Sequence, residues 1–337
     1  MDDVNRQYRL ARRPSGRPDR DAFELVEEPV PEPGDDEVLV RTAYLSVDPY
    51  MRGRMRDRES YAEPWDVGQV LEGRVVGEVV ASNHPDYEPG DLVVGMLHWA
   101  DYAVAAGHRL EAVDTGPAPA STALGVLGTP GRTAYHGVFD VVEPRPGDTV
   151  VVSAAGGAVG SVAGQLAGLA GARVVGIAGR DEKLDFVVEA CGFDAGINYR
   201  EADVGSALAD ACPAGVDGYF DNVGGPITDA VVGQLAVGAR VAVCGQIALY
   251  NDEGVPTGPR PFPQVLGRRA RVEGFLVSDF DHRRQSVTDE LAGWVADGTL
   301  AYRETVAEGL TSAPDAFLGL FDGANVGKQL VRVSTPA

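Results

Sequence analysis

Two stretches of this 337-residue chain have residue types and spacing suited to binding chemistry. The first is Ala155-Gly156-Gly157-Ala158-Val159-Gly160, an A-x-G-x-x-G run between an apolar stretch and a small-residue helix pattern. Here Gly157 lets the backbone approach a pyrophosphate, and Gly160 lets helix and strand pack closely. The anion would meet backbone N–H groups and the helix N-terminus, which carries about half a positive charge. No cationic side chain is needed. No Gly-Lys-Ser/Thr follows, so a P-loop is excluded. The run is also readable as a packing turn that binds nothing; its place between a strand and a helix favours the phosphate reading.

The second stretch is "GIAGRDEK". NAD sites place an acid about 20 residues past the first glycine to hold the ribose 2′-hydroxyl. Here Ile177, Ala178 and Gly179 end a strand, and Arg180 and Lys183 follow within reach of a 2′-phosphate. Asp181 and Glu182 compete with that reading unless they open the next helix, where acids are favoured. Lys183 is also readable as a solvated helix residue. NADPH is the favoured cofactor. Metal chemistry finds no support: no cysteine precedes Cys191, and His84, His98 and His108 lack zinc-ligand spacing.

Composition narrows the partners. Net charge −21 argues against nucleic acid and anionic membranes, which require basic patches. Only Lys183 and Lys328 are lysines. Such acidity suits concentrated salt, where self-repulsion is screened. Cys191, Cys212 and Cys244 are widely spaced without a CxxC, which fits a reducing cytoplasm. The polar N-terminal stretch does not resemble a signal peptide. The apolar run Val150–Ala172 is mostly alanine and glycine, weak for a bilayer span.

Elements that would position these groups follow from pattern. Val-rich runs bounded by turns, "DDEVLVRTAYLSVDPY", "EGRVVGEVVAS" and "GDLVVGM", make the first 120 or so residues β-rich. Pro33-Gly34-Asp35, Pro89-Gly90-Asp91 and Pro146-Gly147-Asp148 suit type II turns. Thr149–Ser153 reads as a strand buried on both faces, and Ala158–Ala170 as a helix stopped by Gly171. Strand and helix then alternate through "ARVVGIAG", "DEKLDFVVEACGF", "VDGYFDNVGG", "GPITDAVVGQLAV", "GARVAVCGQ" and "RARVEGFLVSDF". This alternation predicts a doubly wound parallel sheet, with both chain ends building a second domain.

The motifs "YLSVDPYMRGRM", "GTPGRTAYHGV", "VSAAGGAVGS", "DNVGG" and "CGQIALYN" occur in this order over most of the chain. Together they resemble the zinc-independent medium-chain reductases of the leukotriene B4 dehydrogenase and prostaglandin reductase type, a group that also holds alkenal and curcumin reductases. The resemblance implies an α/β fold: a GroES-like β-rich domain (1–125 and 303–337) around an inserted Rossmann domain (126–302). It implies cofactor contacts at Gly157, Ala158, Val159, Gly160, Lys183, Tyr199, Asn222, Cys244, Gly245, Gln246, Ile247, Phe275, Val277 and Asn325. It also suggests a pocket bordered by Tyr50 and Tyr61, both equally readable as core aromatics, and a homodimer formed through Rossmann edges. Gly156 stands where alanine is commoner, and "IALYN" replaces "ISQYN" or "ISTYN".

Without a metal, hydrogen bonds must activate the hydride acceptor, which suits an α,β-unsaturated ketone or aldehyde. Hydride goes to the β-carbon, and charge develops on the carbonyl oxygen. Tyr250, just past "GARVAVCG", is the candidate proton donor or enolate stabiliser, or else a residue that positions the cofactor. A quinone reductase and a non-catalytic NADPH sensor remain as alternatives.

Overall fold

A strand pattern becomes a strand where both neighbours and the facing layer accept it, and most of the Val-rich runs do. The computed structural model describes residues 4–58 and 60–335. Along the chain come β1 (Val4–Leu10), β2 (Phe23–Pro29), β3 (Glu37–Ser46), α1 (Met51–Arg54), β4 (Glu72–Ser82), β5 (Leu92–His98), β6 (Tyr102–Ala106) and β7 (Leu110–Ala112). Next are α2 (Thr129–His136), β8 (Thr149–Ser153), α3 (Gly160–Leu169), β9 (Arg173–Ala178), α4 (Asp181–Asp185), β10 (Ala195–Asn198) and α5 (Val204–Ala211). Then follow β11 (Val216–Asp221), α6 (Gly225–Val232), β12 (Leu235–Val243), α7 (Phe262–Arg268), β13 (Arg271–Gly274) and α8 (Arg284–Ala296). The chain closes with β14 (Glu304–Glu308), α9 (Ala313–Leu320) and β15 (Lys328–Arg332).

Two units divide these elements. One comprises Met1–Leu124, Glu304–Asn325 and Gln329–Ala337; the other comprises Gly125–Arg303 and Val326–Lys328. In the first, strands run in the order β14-β15-β3-β4-β5-β7, with β6 also paired to β3. Its core is built on Trp65, Trp99, Met51, Met55, Leu71 and Phe317, each no more than 1% exposed. Arg54 lies over the Trp65 ring at 4.6 Å and pairs with Glu72 at 2.8 Å, so the cation is spent inside the domain.

The second unit holds six strands in the order β10-β9-β8-β11-β12-β13. All the pairings are parallel. Numbered within the unit, this is 3-2-1-4-5-6, the doubly wound order whose switch point opens between the first and fourth strands. Here those strands are β8 and β11. Val150, Val151 and Val152 of β8 are no more than 1% exposed. Burying each such side chain contributes about 1.5–3 kcal/mol, which is why an unbroken apolar run sits at the sheet centre. After α3, Gly171 takes φ +87°. Its N–H bonds to Gly168 O, and that of Ala172 bonds to Ala167 O, a Schellman stop.

Three local readings are corrected. Gly90 (φ +100°) and Gly147 (φ +91°) sit as type II turns require, but Gly34 has no positive φ. The first turn is shifted: Glu37 N–H bonds to Gly34 O, and Asp36 takes φ +58°, which aspartate tolerates. "RARVEGFLVSDF" stops being strand at Gly274, because Asp279 Oδ2 takes the Leu276 N–H at 3.0 Å and starts a 3-10 turn over Val277–Arg283. "DEKLDFVVEACGF" is α-helical only to Asp185 and widens to a π-helix over Phe186–Ala190. Among the described residues, no helix is long and apolar enough to cross a membrane.

Candidate active site at the sheet switch point

The glycine run leaves β8 and enters α3, whose first turn has no side-chain cap. The N–H groups of Ala158, Val159 and Gly160 have no hydrogen-bond partner among the described residues. Orphan amides at a helix start, backed by the helix dipole, form an anion cradle. Gly160 packs so tightly that a Cβ there would lie 2.4 Å from Ala154 O. The loop is tied down behind: Gly327 N–H donates to Gly156 O at 2.8 Å, and Gly157 bridges Gly327.

At the ends of β9 and β10, Lys183 lies across Gly156, where a Cβ would come within 2.7 Å of the lysine Cβ. The glycine found where alanine is commoner therefore makes room for this side chain. Asp181 and Glu182 occupy the first turn of α4. Asn198 Nδ2 donates to Asp181 at 2.7 Å, and Arg303 pairs with Glu182 at 3.0 Å. Burial, with Arg180 and Arg200 nearby, lowers the Lys183 ammonium to about 8. Tyr199 lays its ring over Gly179, and the Arg200 guanidinium stands 5.9 Å from that ring's centre.

At the switch point, Asn222 Nδ2 donates to Ser153 O at 2.8 Å and bridges the tips of β8 and β11. Beyond β12, the loop from Cys244 to Tyr250 is laced to the loop after β11. Cys244 and Gly245 N–H bond to Asp221 O at 2.8 and 3.0 Å, and Ala248 N–H bonds to Val223 O at 3.0 Å. The Gln246 N–H donates to the Tyr250 hydroxyl at 3.3 Å. That oxygen accepts, so its own proton is left to donate. Burial raises the Tyr250 phenol, the Gln246 N–H opposes this, and Cys244 and Asp221 add to it. Burial likewise pushes the Cys244 thiol up to about 12, which makes it inert as a nucleophile.

Phe275 is turned inward, edge-on to Phe220 at 6.3 Å, and Val277 opens the following 3-10 turn. In the other unit, Tyr50 precedes α1 and packs against the β-domain core, with burial raising its phenol. Tyr61 is 64% exposed, and Asn325 is buried. The glycine run, Lys183, Tyr199, Asn222 and the Cys244–Tyr250 loop thus share one sheet edge; Tyr50, Tyr61 and Asn325 belong to the other unit. Sequence reasoning passed over Asp221, Ser153 and Arg200. A carboxylate ending the otherwise apolar "YFD" was the available signal for Asp221.

Residues 6–113 match the family described as N-terminal domain of oxidoreductase, and residues 158–293 the family described as Zinc-binding dehydrogenase. Among the described residues, no three or more His, Cys, Asp or Glu side chains are grouped to hold a metal ion. The NADPH-dependent curcumin reductase of Escherichia coli is 45% identical over 98% of this chain and 97% of its own. The NADP(+)-dependent 2-alkenal reductase of Nicotiana tabacum is 42% identical over 98% of each chain. The crystal structure of CurA from Vibrio vulnificus in complex with NADPH superposes with TM-score 0.94 at 44% identity, covering 98% of this chain and 100% of that one. The glycine loop, the strand order and these full-length likenesses agree: the chain belongs to the zinc-independent medium-chain dehydrogenase/reductase family, in the group that includes curcumin, 2-alkenal and prostaglandin reductases.

Proposed function

We propose that this protein is an NADPH-dependent reductase of the C=C bond of α,β-unsaturated ketones and aldehydes. The observation that carries the reading is a hydroxyl held at the switch-point edge with its proton free, Tyr250, on the same edge as the unpartnered amides of residues 158–160. The residues suit the cofactor. Ala158, Val159 and Gly160 offer amides to its diphosphate, Lys183 with Arg180 faces its 2′-phosphate, and Tyr199 flanks that site. Asn222 and Cys244–Ile247 would border its nicotinamide half, Phe275 and Val277 would be further contacts in the same unit, and Asn325 is the candidate contact in the other unit.

When bound, NADPH supplies a hydride to the β-carbon of the substrate. Tyr250 donates a hydrogen bond to the carbonyl oxygen as charge gathers there, and the α-carbon then takes up a proton. The sum is substrate, NADPH and one proton giving the saturated carbonyl compound and NADP+. The Gln246 N–H on the phenolic oxygen makes Tyr250 a stronger donor, since hydrogen bonds in series reinforce one another. Tyr50 and Tyr61 are the candidates in the β-rich unit for contact with the substrate. The test is NADPH consumption in concentrated KCl with enones, enals and quinones, NADH as control. Reduction of quinones alone overturns the reading, and so does NADPH binding with no turnover of any acceptor. The salt condition follows from the −21 charge, which suits a salt-rich cytoplasm.

Lys183 gives a signed pH prediction. The free chain loses the Lys183 proton near pH 8, and a phosphate dianion favours the charged ammonium. Binding above pH 8 therefore takes up a proton, so KM for NADPH rises with pH there while KM for NADH stays flat. Lys183→Ala is expected to raise KM for NADPH by about 10- to 100-fold, the worth of a hydrogen bond to a charged group. Steady-state kinetics with both cofactors from pH 6 to 10 checks it; parallel curves for the two overturn it.

The sheet edge supports a homodimer. β13 is exposed along its length, with Val272 48% exposed, and beside it in sequence Phe262 and Leu266 of α7 are 78% and 79% exposed. An open edge strand with an exposed apolar side chain at Val272, and with Phe262 and Leu266 exposed just before it in sequence, invites a second copy. Light scattering is expected to give twice the chain mass, and Leu266→Asp with Val272→Lys the single mass. A monomeric parent protein overturns this.

A further inference from the structure

Asp221 ends β11 with a carboxylate only 1% exposed. Six donors, all neutral, converge on it. Oδ1 accepts from Val223 N–H, Gly224 N–H and the Tyr219 hydroxyl at 2.9 Å each, and from Ser153 Oγ at 3.2 Å. Oδ2 accepts from Thr228 Oγ1 at 2.8 Å and Gln246 Nε2 at 2.9 Å. Burying a carboxylate is costly unless hydrogen bonds replace its water, and apolar residues of the same size would pack at lower cost.

The bonds have a common destination. They draw together the tip of β8, the first turn of α6 and the loop after β12. Gly224 takes φ +70°, and a Cβ on it would lie 2.2 Å from Gln246 Oε1. The Gln246 side chain therefore lies flat on that glycine, held by Asp221 and by Gly245 O, to which its Nε2 also donates at 2.9 Å. The main chain of Gln246 in turn holds the Tyr250 oxygen.

We propose that Asp221 is a positioning residue for Tyr250, setting the place of the phenolic oxygen through Gln246. This deepens the reading of Tyr250 given above and rests on it. The buried charge has a second effect in the same direction: it opposes ionisation of Tyr250 and of the neighbouring Cys244, so the phenol keeps its proton.

The test is a cycle of Asp221→Asn, Tyr250→Phe and the double variant. An amide at 221 aims N–H groups at the donors Thr228 and Gln246. Asp221→Asn is expected to lower kcat about tenfold or more, with the NADPH dissociation constant within about threefold of the parent. In the Tyr250→Phe background it removes nothing further, because the group it places is already gone. Hydrogen exchange on the protein without substrate supplies an independent readout: the Cys244, Gly245 and Ala248 amides lose protection in Asp221→Asn. Should that variant not fold, Gln246→Leu breaks the same link from the other end and is expected to lower kcat in parallel. An equal loss of turnover in both backgrounds overturns the proposal, as does unchanged exchange. A Tyr250→Phe enzyme as fast as the parent overturns the role of Tyr250 instead, and exchange then judges the hold of Asp221 on the loop.

Discussion

Tyr250→Phe is expected to lower kcat by between about tenfold and a thousandfold, the range for a general acid or its equivalent in hydrogen bonding. The substitution keeps the ring and removes only the oxygen that accepts from the Gln246 N–H. Fold stability should change little, since the ring is only part-buried and the freed N–H belongs to a loop held by other bonds. If the hydroxyl only positions the cofactor, KM for NADPH rises along with the fall in kcat; if it donates to substrate, kcat falls alone. Burial raises the phenol, so at saturating NADPH any alkaline fall in the parent kcat that comes from its ionisation should lie at higher pH than for an ordinary tyrosine. An unchanged turnover number excludes both roles.

Gly160→Ala should be the most damaging small substitution in the cofactor loop. A methyl group there would sit 2.4 Å from Ala154 O and 3.0 Å from Ala155 Cα, both backbone atoms that cannot swing aside. The φ of Gly160 is not positive, so the cost is one of space. Overpacking of this kind costs roughly 1–3 kcal/mol, or about 2–12 °C in melting temperature for a unit of this size. α3 must move off β8 to relieve it, carrying the amides of residues 158–160 with it. KM for NADPH should therefore rise at least about tenfold, since each bond to a charged group is worth about 1.5–3 kcal/mol. Calorimetry and cofactor titration check the two halves together. Normal cofactor affinity in a destabilised protein would separate the packing role of Gly160 from the binding role of its loop.

The parts of the fold legible in the sequence were those written locally. β8 announced itself because a strand buried on both faces needs no polar residue, and Gly171 because a helix stop needs a left-handed residue. "GFLVSDF" misled because Phe275 and Val277 alternate like a strand, whereas Asp279 reaches back to Leu276 and curls the chain. The strand order was beyond reach, since it depends on which strands meet across the sheet. The site divided in the same way. The glycine run and Lys183 carry their chemistry in short motifs. The importance of Asp221 lies in donors from positions 153, 219, 228 and 246, gathered only when the sheet closes. Its own motif, "DNVGG", pointed to Asn222 and not to the carboxylate before it.

The bond from Gly327 to Gly156 has a consequence for biosynthesis. A ribosome makes the nucleotide cradle about 170 residues before it makes the segment that braces it. A nascent polypeptide thus carries an unfinished cradle, with every loop amide present and nothing behind them, until that later segment has emerged.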